Sequence, residues 1–469
     1  MKELAARNGG RVGLAALAAI LLLGLGLRLD YAWEGRAPVY DAAAYSRIAA
    51  NLDSGHGFTL GEQATQPAGN YSPGLPLLAA GVYKASGGVH ERTARLVLAM
   101  IGSLAVLFTY LIGRRLWRPL ASLLGATVIA IYPALLEYQG MLMSEPLAAT
   151  LLSAAALALL WAADTGTGRS SPRRATLARW LIPGVLLGAL TLTRPEYLGV
   201  AVLLAVLVFA RGLGDQWRRT LAQAAVLLMG MVMIVMPWTI RNAVALDRFV
   251  PVSTGGGQVL FAGSYMPSDG DPERVGREAL VRHPGLTREL ASQYLRAGAP
   301  PTLTAVLDRV RLEEILAALA AQRFPGVESD RALSRMGRER LWRNLSEEPL
   351  DYAAFIARKV VRVWSHGARE VIERPGWKAF HLIILALALL GFVVLCLRAR
   401  ARSPEEGGNV VQRAWGPLLF ATIFISITAI SALLVASPRR VLVMLPLVAA
   451  LAGVGLAWAA SAIRERTSA

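Results

Sequence analysis

The sequence predicts an all-α polytopic membrane protein, a bundle of about ten transmembrane helices with interfacial helices and a small outer helical cap. Three observations predict it. Of 469 residues, 55% are hydrophobic and 17% are charged, with a mean hydropathy of +0.45; soluble chains average about 25% charged. Apolar runs of about 17 to 22 residues recur along the chain, each long enough to cross a hydrocarbon core of about 30 Å. Basic residues collect in alternate connections between those runs.

The runs fall at 13–29, 95–113, 120–138, 146–163, 180–193, 196–210, 221–239, 379–397, 415–435 and 440–460. The pair at 180–210 is short for two crossings. The first run exceeds a usual signal-peptide core, and no small-residue cleavage site closes it, so it reads as a retained span. Basic clusters lie at Lys2, Arg7 and Arg11, at Arg114, Arg115 and Arg118, and at Arg169, Arg173, Arg174 and Arg179. They return at Arg211, Arg218 and Arg219, at Arg398, Arg400 and Arg402, and at Arg464 and Arg466. The positive-inside rule makes these connections cytoplasmic. Both termini are then cytoplasmic, which agrees with an even number of spans. The formal net charge of +17 resides mainly in these inner loops and does not call for a nucleic-acid partner. The single cysteine, Cys396, rules out an intramolecular disulfide and a cysteine-based metal site. Five histidines without paired spacing argue against a tight zinc site, so no metal site and no cofactor are expected, with a divalent ion left open.

Three parts face outward on this reading. Residues 1–240 form a membrane-embedded module whose first outer loop, 30–94, carries two amphipathic pieces. In the first, Tyr45, Ile48, Ala49 and Leu52 repeat at helical spacing opposite Arg47, Asn51 and Asp53. In the second, Pro73-Gly74-Leu75-Pro76 leads into an apolar stretch at 77–83 that is too short to span and suits the interface. Gly55, Gly57 and Gly61 mark a bend between them. Residues 241–376 form the one sizeable outer loop, expected helical at 286–297, 303–321, 329–345 and 349–365. Residues 377–469 supply the last spans, joined outside by Ser437-Pro438-Arg439-Arg440. No repeat suggests the inverted halves of a secondary transporter.

The residues that carry chemistry sit on the outer side. Asp41, in Tyr40-Asp41-Ala42-Ala43-Ala44-Tyr45, reads either as a helix N-cap or as a fixed, ionised carboxylate at the lipid boundary. The two roles are compatible, and the Glu or Gln of a capping box is missing because Ala44 stands there. Glu137 and Glu145 flank the next outer turn, and Ser144-Glu145-Pro146 also reads as an ordinary helix start. Arg194, Arg241, Arg439 and Arg440 lie in short outer connections, against the positive-inside bias. Singly, each reads as a snorkelling or paired arginine. Together, beside carboxylates, they suit an anionic head group such as a phosphate. Thr254-Gly255-Gly256-Gly257 lacks the Lys-Ser/Thr of a P-loop and reads as a turn. His56 and His366 read as structural.

In sequence order, these strings resemble the GT-C glycosyltransferases, in particular the bacterial protein-mannosyltransferase-like and lipid A aminoarabinose-transferase-like branch. The carriers are Asp41, Tyr45, Ala49, Leu52, Gly55 and Gly57, the Pro73 to Ala79 entry, Ser144-Glu145-Pro146-Leu147, Thr193-Arg194-Pro195-Glu196, and Pro237-Trp238 with Arg241-Asn242. The resemblance implies an inverting transfer from a polyprenyl-phosphate sugar donor to a lipid, glycan or protein acceptor, outside the cytoplasmic membrane. It implies Asp41 as general base, Glu145 as an assisting acid, the four arginines at the donor phosphate, and Tyr45 and Tyr71 as substrate contacts. Many relatives have Asp-Glu at the first-loop position, where this chain has Asp41-Ala42. The rival readings are a polyprenyl-linked glycan flippase or transporter and a non-catalytic partner in envelope polysaccharide assembly. A transporter predicts ionisable groups inside the spans, and the spans read as nearly free of charge.

Overall fold

The computed structural model describes residues 2–36, 41–61, 66–164, 177–213, 216–269, 271–295, 302–401 and 410–467. The basic residues Arg169, Arg173, Arg174 and Arg402, and Tyr40, lie outside them. Seven described helices are long and apolar enough to cross a membrane, within α1 (Lys2–Glu34), α4 (Glu91–Leu116), α7 (Ser144–Asp164), α10 (Trp217–Ala245), α19 (Pro375–Ala401), α21 (Trp415–Leu433) and α22 (Arg439–Thr467). An eighth crossing is made if α5 (Pro119–Ile131) and α6 (Pro133–Glu137) with its 3-10 extension to Gly140 count as one span, bent by 48°. The chain is a multi-pass membrane protein with seven or eight candidate spans, fewer than the ten expected. The difference lies in α8 (Leu181–Thr193) and α9 (Tyr197–Ala210), which have 13 and 14 residues. At 1.5 Å per residue each reaches only about 20 Å. Pro195, with Arg194 and Glu196, separates them.

The bend at α5–α6 has a definite cause. Pro133 opens α6, and the residue before a proline is pushed out of helical geometry, as Tyr132 is at φ −67°, ψ 114°. The break frees carbonyls inside the bundle, where each needs a donor. Arg28 of α1 supplies one. Its guanidinium donates to the carbonyls of Ile129 at 2.8 Å, Ala130 at 3.2 Å and Gly24 at 2.9 Å, and the residue is 1% exposed. Arg28 lies within the first predicted span, so that span carries a charge whose task is to hold the bend.

Small residues let the membrane helices close on each other. At Gly184 of α8 an added Cβ would run into the Leu227 carbonyl of α10, and at Gly230 of α10 it would stand 2.7 Å from the Leu181 carbonyl of α8. Backbone approach of this kind is how helices associate where water supplies no driving force.

The first loop is helical at both amphipathic pieces, in α2 (Asp41–Asp53) and α3 (Gly74–Ser86). Between them Gly55, Gly57 and Gly61 have φ of 79°, 74° and 100°, a region that favours glycine. A two-residue antiparallel ladder, β1 (Thr59–Leu60) on β2 (Gln66–Pro67), closes the bend.

The chain divides into two compact units. The first comprises 1–253, 367–426 and 441–469, and the second 254–366 and 427–440. The second unit packs α11 (Gly256–Ser264) against α16 (Ser329–Glu347), around a core that includes Phe261, Leu286, Leu316 and Leu333. α12 (Pro272–Arg282), α13 (Pro284–Tyr294) and α17 (Pro349–Ser365) complete it with the helices next described. Two details differ from expectation. The stretch 303–321 divides into α14 (Leu303–Leu307) and α15 (Leu312–Arg323), each with its own start: Thr302 accepts from the Ala305 N–H at 3.2 Å, and the Arg311 N–H donates to Glu314 at 2.8 Å. The Gly-rich turn at 254–257 becomes the entry to α11, with Gly255 at φ 95° as its cap and Gly257 donating to Asp330 Oδ1 at 2.9 Å.

Candidate active site

Contacts within the first unit gather several helix ends at one end of the membrane helices. Arg95 Nε, near the start of α4, donates to the Ala32 carbonyl at the end of α1 at 3.1 Å. The Arg36 N–H donates to the Gly140 carbonyl at 2.9 Å. Gly74, at the start of α3, abuts Thr193 at the end of α8, where an added Cβ would lie 2.9 Å from the Thr193 Cα. These ends are where Asp41, Glu145, Arg194 and Arg241 reside.

Asp41 is the first residue of α2, partly exposed, so its carboxylate complements the positive end of that helix. One turn on, Tyr45 is 8% exposed and meets Tyr71 edge-to-face at 5.8 Å. Both rings belong to a core with Ile48, Leu75, Leu98 and the pair Leu142 and Leu147, which flank the start of α7. The apolar face of α2 thus packs with α3 into a core that also takes in residues flanking the start of Glu145's helix. Ala42 has no exposed surface, so the position after Asp41 is packed with a methyl group.

Glu145 is fully buried. Its Oε1 lies 3.3 Å from Arg194 Nη1, which is also 3.4 Å from Ser144 Oγ. Arg194 Nε donates to Glu196 at 3.0 Å, and the arginine side chain is 13% exposed. Arg194 is therefore both the paired arginine of its own turn and the guanidinium that neutralises a buried acid. Arg241, in the last two turns of α10, donates from Nη2 to the Phe58 carbonyl at 3.0 Å and stacks over Trp238 at 4.9 Å and Phe58 at 5.4 Å. It ties the glycine bend of the first loop to the end of a span. Trp238 Nε1 in turn donates to the Val252 carbonyl at 2.8 Å.

Arg439 and Arg440 belong to the second unit, at the start of α22. Arg440 Nη1 donates to the Val435 carbonyl and to Ser431 Oγ, across the turn between α21 and α22. In the same unit Lys359 of α17 is fully buried, with Nζ donating to the Gly263 carbonyl at 2.8 Å and facing the Phe355 ring at 4.9 Å. Burial pushes its ammonium down to about 7, and the Arg440 charge adds to the effect.

Sequence reasoning singled out Glu137 without giving it a partner. Its carboxylate receives Arg369 Nε at 2.8 Å and lies 3.7 Å from Arg36 Nη2, while Arg369 faces the Tyr138 ring at 5.8 Å. Arg369 and Arg36 flank distant segments, so no local pattern announced this cluster. Among the described residues no three His, Cys, Asp or Glu side chains form a group suited to a metal ion.

No protein-family model matches the chain. The archaeal oligosaccharyltransferase AglB from Archaeoglobus fulgidus, solved with an inhibitory peptide and a dolichol-phosphate, superposes with a TM-score of 0.55 at 15% identity, over 97% of this chain and 51% of AglB. Its apo form gives 0.56 over the same shares. The fold is GT-C-like. In sequence, 150 residues are 29% identical to an undecaprenyl phosphate-alpha-4-amino-4-deoxy-L-arabinose arabinosyl transferase of Pseudomonas aeruginosa, covering 31% of this chain and 26% of that one. The chain thus spans about half the length of AglB, and the match to the arabinosyl transferase covers about a quarter of that protein. In this GT-C-like fold the start of α2 carries an acid, and the ends of α7 and α8 carry a buried acid–arginine pair.

Proposed function

We propose that the protein is a glycosyltransferase that moves a sugar from a polyprenyl-phosphate carrier to an acceptor hydroxyl, with inversion. The observation that carries this reading is the set of helix ends in the first unit, with Asp41 at the start of α2, whose apolar core includes residues flanking the helix start that carries the Glu145–Arg194 pair. The GT-C-like fold supports it, as do the 150 residues shared with an undecaprenyl-phosphate-dependent transferase and the dolichol-phosphate held by AglB. The site faces the exterior of the cytoplasmic membrane, with both termini inside, as the basic inner connections require. The membrane module then spans about ten crossings, α8 and α9 forming a short hairpin through a thinned region.

In this mechanism Asp41 accepts the proton of the acceptor hydroxyl as its oxygen attacks the anomeric carbon. The bond from that carbon to the phosphate oxygen breaks, and the electron pair leaves with polyprenyl phosphate. Arginines stabilise the charge that develops on the phosphate. Arg194 also fixes Glu145, so we assign Glu145 to positioning this arginine and the acceptor. Arg241, Arg439 and Arg440 are the remaining candidates for the phosphate, and Tyr45 and Tyr71 the rings that line the approach. The acceptor is a lipid, a glycan or a protein. Arg28, the ionisable group inside the first span, donates to three backbone carbonyls, which is a structural task and gives a transport pathway no support.

The test uses purified protein in proteoliposomes with a defined polyprenyl-phosphate sugar. Release of free polyprenyl phosphate together with a glycosylated product is expected. Asp41→Asn keeps the shape and most of the capping, and its turnover is expected to drop by about a hundredfold or more. Movement of intact lipid between leaflets without release would make the protein a flippase. Unchanged turnover in Asp41→Asn would remove the general base.

A further inference from the structure

The second unit bears an open-mouthed cavity of about 570 Å³, within the range of small-molecule sites. Phe261 of α11 and Tyr265, the residue that caps its end, stack at 5.9 Å and 28° along one wall. The guanidinium of Arg340 from α16 lies over both rings, 4.9 Å and 4.2 Å from their centroids. Arg282, the last residue of α12, and Arg323, the last of α15, line the same space. Among the described residues no carboxylate lines it. Arg323 has a partner in Glu339 at 2.9 Å, whereas Arg282 and Arg340 make no hydrogen bond or ion pair among the described residues. Burial pushes the Arg340 guanidinium down to about 10, and the charges of Arg343, Arg282 and Arg323 push the same way.

Three guanidinium groups line this space and only Arg323 has an acid partner, so the cavity carries excess positive charge. Stacking holds the Arg340 plane in place while leaving its N–H edge available, the arrangement that suits a planar, forked donor to phosphate or carboxylate. Leu319 and Met336 supply an apolar remainder large enough for the carbon face of a sugar ring. We infer that this cavity binds a saccharide carrying a phosphate or a carboxylate, with the oxyanion between Arg282 and Arg340 and the ring against the apolar wall. The binding stands on the second unit by itself. That the occupant is part of the acceptor rests on the transferase reading.

The test is direct binding by calorimetry, so its failure is separate from any failure of turnover. Full-length protein in nanodiscs of neutral lipid is titrated with glucose 6-phosphate, glucuronate, glucose and inorganic phosphate. At least one of the two acidic sugars is expected to saturate at an affinity about tenfold or more above glucose and inorganic phosphate. Arg282→Glu and Arg340→Gln are each expected to weaken it about tenfold or more, and Arg331→Glu, outside the cavity, to leave it unchanged. Arg282 is exposed and unbonded among the described residues, so R282E tests the site without disturbing packing, as its unfolding midpoint will report. Absence of saturable binding, equal affinity for inorganic phosphate, or full affinity in the R282E/R340Q double variant would each overturn the inference.

Discussion

Arg194 stands 3.3 Å from Glu145, a carboxylate with no solvent exposure, while its other edge holds Glu196 at 3.0 Å. One guanidinium thus spans an acid from the start of α7 and an acid from its own turn. This joins two helix ends that sequence order separates by 49 residues.

The pair is asymmetric, and substitution will show it. Arg194→Met leaves Glu145 buried without the guanidinium, a loss of about 3–5 kcal/mol for a broken buried pair. Glu145→Gln leaves Arg194 with Glu196 and an amide in hydrogen-bonding reach, at a smaller cost. The double variant recovers part of the Arg194→Met loss, because the buried charge is then gone. Unfolding midpoints of the four proteins in detergent check the order. Equal losses in the two single variants would contradict it.

Helices were legible in this sequence wherever periodicity or length carried the signal. The apolar runs fall largely in helices, and Gly55, Gly57 and Gly61 mark a bend that needs positive φ. Span count was less legible, because α8 and α9 are apolar throughout yet only 13 and 14 residues long. Hydropathy reports apolarity and leaves open whether a helix crosses. Arg28 was missed as a functional signal because one charge barely changes the mean of a 17-residue run. Its reason lies in the Ile129 and Ala130 carbonyls, about a hundred residues away. The Glu137–Arg369 contact joins residues 232 positions apart and leaves no trace in spacing. At the site, Asp41, Glu145 and Arg194 were named from local strings, but their pairing pattern was open. Arg241 was named for a phosphate, and the Phe58 carbonyl and two aromatic rings occupy it in this structure.

Arg241 therefore makes a prediction about the loop as well as about donor binding. Lysine at this position keeps the charge but loses the fork to Phe58 and the planar stack between Phe58 and Trp238, so the exchange is not conservative. Arg241→Lys is expected to speed amide hydrogen exchange around residues 56–60 by about tenfold, a change of about 1.4 kcal/mol in local opening. Exchange in α7 serves as the internal reference. A loop with unchanged protection would show that the stack contributes nothing to its order.

Close approach between α8 and α10 predicts a positional effect of added bulk. Gly184→Val and Gly230→Val each force a side chain into the facing backbone, and overpacking of this kind costs about 1–3 kcal/mol or more. Gly199→Val on α9 is the control, since nothing lies within 4 Å of its added Cβ. The unfolding midpoint in detergent is expected to fall for the first two and to hold for the third. A fall of equal size at Gly199 would indicate a general intolerance of β-branching, unrelated to packing.

Lys359 gives the second unit a dependence on pH. In the unfolded chain its ammonium keeps the proton up to about pH 10.4, whereas in the fold burial and the Arg440 charge bring that down to about 7. Between these values the unfolded chain binds more protons than the folded one, so stability rises with pH across the window. The rise is at most one proton's worth, about 1.4 kcal/mol per pH unit. Below pH 7 the full penalty of burying the charge is present, partly offset by the Gly263 carbonyl at 2.8 Å and the Phe355 ring. Lys359→Met removes the titrating group while filling the same space. Its unfolding midpoint is expected to exceed that of the parent at about pH 6, and the gap to narrow towards about pH 9. A gap that stays constant over this range would mean that Lys359 keeps its proton in the fold, held by more than one carbonyl.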